Sequence, residues 1–251
     1  QANEHSEVNV NGEELLIQWL EEILQTPLQT PLQTSLQTPL QTPLQTSLTD
    51  NEHLSLAQIP LVDTLRETEF YYPMQSASST ELTKLLTEHR NTYIYSSDSS
   101  SPNDSFNSNS SRQTNKQHRV HLPSYQQLKG MMHGFIDLIF QADGKFYVCD
   151  YKSSHLGNQF SDYNYQAMRD NIEKNHYDLQ YLIYSLALHR HLKYAVADYD
   201  PKLHFGGVYY LYLRGMSSQV EHQHCGVYYR QISLAELEQL DNIFAGETSN
   251  V

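Results

Sequence analysis

Residues 130–152 read Gly-Met-Met-His-Gly-Phe-Ile-Asp-Leu-Ile-Phe-Gln-Ala-Asp-Gly-Lys-Phe-Tyr-Val-Cys-Asp-Tyr-Lys, two apolar runs on either side of the dipeptide Asp143-Gly144. An Asp-Gly loop between β-branched and aromatic runs favours a two-residue type I′ hairpin turn. The turn sets the register, pairing Ala142 with Lys145, Phe140 with Tyr147, Leu138 with Cys149 and Asp137 with Asp150. Facing residues have Cβ atoms roughly 4.5–5.5 Å apart, and like charges at that spacing destabilise a sheet unless something neutralises them. Alternation places Phe146, Val148, Asp150 and Lys152 on one face, with Lys152 about 6.6 Å along the chain from Asp150. A surface hairpin with ordinary charges would account for one such Asp. Two facing carboxylates, each embedded in an apolar run where an unpaired charge is costly, point instead to a bound cation.

An all-oxygen ligand set suits a hard ion such as Mg²⁺, which keeps several waters and binds one or two carboxylates together with substrate phosphate. That chemistry is phosphodiester cleavage: the ion polarises the phosphoryl oxygen and acidifies a bound water, and a nearby ammonium orients that water or offsets developing charge.

The chain has 251 residues and a net charge of −13, enough for one ordinary domain with disordered insertions. The acid is unevenly placed, with 3 Lys or Arg against 15 Asp or Glu in residues 1–111 and 13 against 14 in residues 112–251. No strongly basic stripe appears, so tight DNA binding needs another component to deliver the strand. No signal-peptide pattern opens the sequence, and no run approaches 18 consecutive apolar residues, so neither export nor a membrane span is expected. Cys149 and Cys225 are too few for a disulfide framework or a four-cysteine cluster. A Gly-x-x-x-x-Gly-Lys-Ser/Thr phosphate loop is absent, so ATP use is not expected of these residues.

From a cap at Asn11, with Glu14 at the capping-box position, the spacing of Leu15, Leu16, Trp19, Leu20 and Ile23 predicts a helix docked on the main domain, within residues 1–24. Residues 25–48 repeat Gln-Thr-Pro-Leu, Gln-Thr-Pro-Leu, Gln-Thr-Ser-Leu twice, which predicts an extended, solvated linker over 25–50. The remaining 51–251 form the main domain. It is expected to contain a strand at 69–72, a polar helix at 81–90, a disordered Ser- and Asn-rich insertion at 96–117, helices at 163–175 and 178–192, and a buried strand at 205–213. His189 and His191, two apart on a helix, point different ways and are read as packing or solvated residues. The fold class is α/β, a mixed central sheet flanked by helices.

Asp137, a hairpin, then Asp150-x-Lys152 resembles the core of the PD-(D/E)xK nucleases. More closely, Gly-Phe-Ile-Asp-Leu at 134–138, Asp-Tyr-Lys-Ser at 150–153 and Tyr-Asp-Leu-Gln-Tyr-x-x-Tyr-x-Leu-Ala-Leu-His-Arg at 177–190 are similar to the C-terminal nuclease domain of RecB, the β subunit of exodeoxyribonuclease V. The likeness runs through residues 128–215 and, more loosely, upstream to Trp19. It implies a restriction-endonuclease-like sheet and Mg²⁺-dependent cleavage of DNA, with Mn²⁺ as a substitute, within a helicase–nuclease that processes double-strand breaks for repair and recombination. It further implies catalytic roles for Asp137, Asp150, Lys152, Glu69, Gln180 and Tyr184, with the metal on Asp137, Asp150, the backbone carbonyl of Tyr151 and Glu69. Implied partners are single-stranded DNA ends delivered by a helicase, RecC- and RecD-like subunits and a recombinase, in the bacterial cytoplasm and with no membrane. In such domains a histidine from an upstream helix completes the ligands. By alignment that position falls before Gln1 and is not assigned to His5, so the isolated chain is expected to be a weak nuclease. A non-catalytic docking module of the same complex and a structure-specific or RNA-directed nuclease are the alternatives.

Overall fold

A computed structural model of the chain describes residues 12–28, 54–92, 120, 122 and 128–246. The hairpin forms as its sequence predicts. Strand β2 (Leu128–Ala142) turns into β3 (Lys145–Lys152) through Asp143 and Gly144, whose φ values of 50° and 73° are the left-handed pair a type I′ turn requires. The ladder is antiparallel and pairs Ala142 with Lys145, Phe140 with Tyr147 and Leu138 with Cys149.

Around it the chain adds α1 (Gly12–Gln25), β1 (Thr64–Ala77), α2 (Ser79–Thr92), α3 (Tyr165–Asn175), α4 (Tyr177–Ala195), α5 (Pro201–His204), β4 (Phe205–Tyr212), β5 (Val227–Arg230) and α6 (Leu234–Ala245). The strands form one mixed sheet ordered β1-β2-β3-β4-β5, with an antiparallel β4–β5 pair. Three helices lie between β3 and β4 in the chain, the kind of crossover that neighbouring strands of like direction need. Every residue of β4 is buried, which explains its continuous apolar sequence.

The chain divides into two compact units, each assembled from separate segments. The first takes in residues up to Glu67, Asp137–Asn175 and Gly206–Arg230. Its core joins Leu138, Phe140, Tyr147, Cys149, Tyr209 and Leu211 to Ile23, Leu28 and Ile59. A Cβ at position 206 would sit 2.3 Å from the Tyr147 ring, so only glycine allows that ring against β4. The second unit, Thr68–Ile136, His176–Phe205 and from Gln231 onward, packs α6 on α2 and α4. Tyr72 and Phe244 meet there with ring centroids 5.8 Å apart. A buried Arg90 donates through Nε to Asp178 Oδ2 at 2.5 Å and through Nη2 to Oδ1 at 3.1 Å. His176, left-handed at φ 55°, separates α3 from α4.

Several expectations need correction. The α1 helix forms, but its predicted packing stripe does not dock: Leu15, Leu16, Trp19 and Leu20 are exposed, and of that face only Ile23 is buried. The first repeat unit is not a solvated linker. Leu28 is 2 % exposed within the core, its N–H donates to Leu54 O at 2.6 Å, and Pro27 pairs with Ser55 in an isolated bridge. The strand expected at 69–72 runs from Thr64 to Ala77. Strand β5 and helix α6 were not foreseen, although Ser233 and Glu236 make a full capping box at the start of α6. The expected cap at Asn11, most of the repeat tract and the 96–117 insertion lie outside the described residues. No helix among the described residues is long and apolar enough to cross a membrane.

Candidate active site

Asp137, Asp150, Tyr151 and Lys152 all belong to the first unit, at the end of the hairpin away from its turn. Asp137 lies one step beyond the last ladder pair, and its Oδ2 accepts the Tyr151 backbone N–H at 3.0 Å. Asp150 and Lys152 share a face of β3 by alternation. Both are buried, 4 % and 8 % exposed, with Lys152 Nζ 2.5 Å from Asp150 Oδ2 and 4.4 Å from the centroid of the Tyr210 ring.

Burial pushes the Asp150 carboxyl above its ordinary value; Lys152 opposes this through a hydrogen bond and its charge, and Asp137 adds to the rise. Cys149, wholly buried beside the same charges, is held firmly as the thiol by burial first and by Asp150 and Asp137 next. The Tyr151 phenol is likewise raised by burial, then by Cys149 and Asp137, with Arg66 opposing. This corner of the unit therefore carries more negative charge than one lysine balances, the condition that a divalent cation relieves. Among the described residues no group of three or more His, Cys, Asp or Glu side chains could hold a metal ion. Two neighbouring carboxylates, with no third His, Cys, Asp or Glu side chain beside them among the described residues, fit a divalent cation that keeps several of its waters.

The other three residues singled out from the sequence lie in the second unit. Glu69 sits on the exposed face of β1, where period-two alternation turns Phe70 and Tyr72 inward. Its Oε1 accepts a short hydrogen bond from the Tyr71 hydroxyl and lies 2.9 Å from His133 Nε2. Those hydrogen bonds, Tyr71 first and His133 second, hold Glu69 below the usual carboxylate range. His133 also stacks on Tyr71, with centroids 4.4 Å apart and planes 7° from parallel. Sequence reading missed His133, because only the placing of β2 beside β1 brings it to Glu69.

Gln180 and Tyr184 do meet, one turn apart on α4, with Gln180 Nε2 donating to the Tyr184 hydroxyl at 2.9 Å. Tyr184 meets Phe70 edge to face at 5.7 Å. Gly134 makes room for that contact, since a Cβ there would lie 2.8 Å from the Phe70 ring and 3.7 Å from Tyr184. The glycine of Gly-Phe-Ile-Asp thus has a packing role within the second unit. His189 is buried, 3.0 Å from the Tyr199 hydroxyl, and burial followed by the charge of Lys193 lowers its pKa to about 4. It packs as a neutral ring against Tyr199.

The hairpin that ends in Asp137, Asp150 and Lys152 lies in a mixed sheet, and a sequence profile of the PD-(D/E)XK nuclease superfamily matches residues 74–248. The chain belongs to that superfamily and is a nuclease domain. It is 46 % identical over 128 residues to the RecBCD enzyme subunit RecB of Haemophilus influenzae and 46 % over 124 residues to that of Escherichia coli K12, each match covering 49 % of this chain and 10 % of the relative. RecB of Buchnera aphidicola from Acyrthosiphon pisum is 30 % identical over 223 residues, 88 % of this chain and 15 % of the relative. The chain therefore spans about a tenth to a seventh of the length of these relatives.

Proposed function

We propose that this domain hydrolyses DNA phosphodiester bonds with Mg²⁺, as the nuclease part of a RecBCD-type enzyme acting on broken DNA ends in recombination and repair. The buried Asp150–Lys152 ion pair beside Asp137 carries this reading. Asp137, Asp150 and the Tyr151 carbonyl would hold the ion; Glu69 is an acidic ligand only on the strength of the family resemblance. When bound, the ion supplies a Lewis acid for the phosphoryl oxygen and lowers the pKa of the attacking water.

The protein's own groups do the rest. Lys152, 2.5 Å from Asp150, places an ammonium where it offsets charge developing on the phosphate. Tyr151 N–H fixes one oxygen of Asp137, so the carboxylate presents a constant orientation. The hydrogen-bonded Gln180–Tyr184 pair offers an amide and a hydroxyl, groups that the family resemblance gives a catalytic role.

Single-stranded DNA ends are the substrate this reading favours, delivered by a helicase, with RecC- and RecD-like subunits and a recombinase as partners; the names of the RecB relatives support that assembly. The non-catalytic alternative finds no support in a site that keeps Asp137, Asp150 and Lys152 together. Linear single-stranded DNA incubated with the protein in Mg²⁺, Mn²⁺ or EDTA tests the proposal. Metal-dependent shortening of the strand, lost in Asp150→Asn, is expected; a wild-type protein inert in both metals would end it.

A further inference from the structure

Arg214 follows β4, the strand beside β3 in the sheet. Its Nε donates to the backbone carbonyl of Ser153 at 3.0 Å, and Ser153 comes directly after Lys152, so one peptide step separates this anchor from the candidate site. Alternation along β4 turns Tyr209 and Leu211 into the core of the first unit, and Leu213 packs against the same cluster. Tyr210 points the other way and holds Lys152 Nζ 4.4 Å from its ring centroid. Arg214 turns away from the core that takes Leu213, and it is exposed. Among the described residues it forms no ion pair with a carboxylate. Other cations of the unit are differently placed: Lys152 pairs with Asp150, Arg169 pairs with Glu173 at 2.8 Å, Arg230 is buried, and Lys145 sits at the turn, the far end of the hairpin.

A guanidinium held through Nε by a backbone carbonyl keeps both Nη groups in a fixed fork, the geometry that takes two oxygens of one phosphate. It also brings positive charge to a corner whose carboxylates would otherwise repel an anionic strand. We propose that Arg214 binds a phosphate of the DNA strand next to the scissile one. This rests on the nuclease reading for the identity of the anion, but not for the presence of an anion site. Ser153 is then a positioning residue, acting through its carbonyl, and the contact is indifferent to base sequence because it touches only the backbone of the strand.

The test measures binding of a short fluorescein-labelled single-stranded oligonucleotide in EDTA by anisotropy over a range of KCl, alongside KM and kcat for cleavage in Mg²⁺. Arg214→Ala should weaken binding about tenfold, the loss of one charge-assisted contact, and flatten the slope of log K against log salt by about 0.7, one single-strand phosphate contact. Arg214→Gln, whose amide can still donate to Ser153 but carries no charge, should lose as much. Arg214→Lys, which keeps the charge without the fork, should restore the slope and part of the affinity. Lys145→Ala removes a charge at the turn and should change neither, which separates a local contact from a change in net charge. In cleavage, the losses at position 214 should appear more in KM than in kcat. Wild-type affinity and slope in Arg214→Ala, or full rescue of both by Arg214→Gln, would overturn the inference; with cleavage intact, either result leaves the nuclease reading standing. Weakened binding in Arg214→Ala and Arg214→Gln from a protein that never cleaves would keep the phosphate site and remove the nuclease reading.

Discussion

Asp150 and Glu69 are two acids that the resemblance assigns to a single site, yet their surroundings drive them in opposite directions. Asp150 is buried on β3, and its carboxyl is raised by burial and by Asp137 against the pull of Lys152. Glu69 is exposed on β1, and hydrogen bonds from Tyr71 and His133 lower it. One carboxylate holds charge that the fold leaves incompletely balanced; the other has its charge taken up by neighbours. A cation gains most where negative charge is buried and under-compensated, so a metal held by this domain would gain more from Asp150 than from Glu69.

The largest test of that contrast is cleavage itself. Asp150→Asn and Lys152→Ala should each reduce metal-dependent DNA cleavage by about 10²–10³-fold or more, whereas Glu69→Gln should reduce it by roughly tenfold or less, because Tyr71 and His133 already occupy that carboxylate. Initial rates on linear single-stranded DNA, with circular dichroism to check folding, decide this, and equal losses in all three would erase the distinction. A stability version uses ion pairs. Asp178→Ala strands Arg90 in the interior and should cost about 3–5 kcal/mol, while Glu88→Ala, which breaks the solvent-exposed 4.0 Å pair with Lys84, should cost at most ~0.5 kcal/mol; urea midpoints separate the two.

The repeat tract allows a comparison within one sequence motif. Leu28→Ala should lose about 2–5 kcal/mol, since its side chain lies in the core. Deleting residues 29–48 shortens the connection between Leu28 and Leu54 and should change stability by less than ~1 kcal/mol, because loop entropy varies slowly with length. A thermal melt in which the deletion shifts the midpoint by more than about 4 °C would show that these repeats pack.

The response to acid differs in sign between buried carboxylates. Glu236 lies at about 2; burial works to raise it, and His89 and Ser233 more than reverse that. A folded value below the unfolded one means stability present above pH ~4.5 and lost as pH falls towards 2, on the order of 2 kcal/mol and absent in Glu236→Gln. Asp150 is shifted upward, so its proton competes with a metal, and Mg²⁺ affinity should rise with pH through a range lying above that of a free aspartate. Calorimetric titrations at several pH values would show the limb; a flat profile would place the metal elsewhere.

Local chemistry made the hairpin legible. Asp143-Gly144 selects a turn in which both residues have positive φ, the turn dictates register, and register with alternation places Asp137 near Asp150 and Lys152 with no other information. The four-residue spacing of Gln180 and Tyr184 was equally readable, because a helix brings such residues together wherever it lies. The sequence also marked β4 as buried through its unbroken apolar run, and its start cap could have marked α6. Tertiary structure alone decided the remainder. Whether the apolar stripe of α1 is covered depends on what packs beside it, and the spacing of Leu15, Leu16, Trp19 and Leu20 is the same in either case. Leu28 and the repeat that contains it carry the same four letters as later units, so nothing in those letters marks Leu28 for the core it shares with Ile59 and Phe140. The partners of Glu69 depend on which strand lies alongside β1. Periodicity and turn chemistry act over a few residues, whereas burial, strand neighbours and the balance of charge around a carboxylate are set by groups distant in the chain.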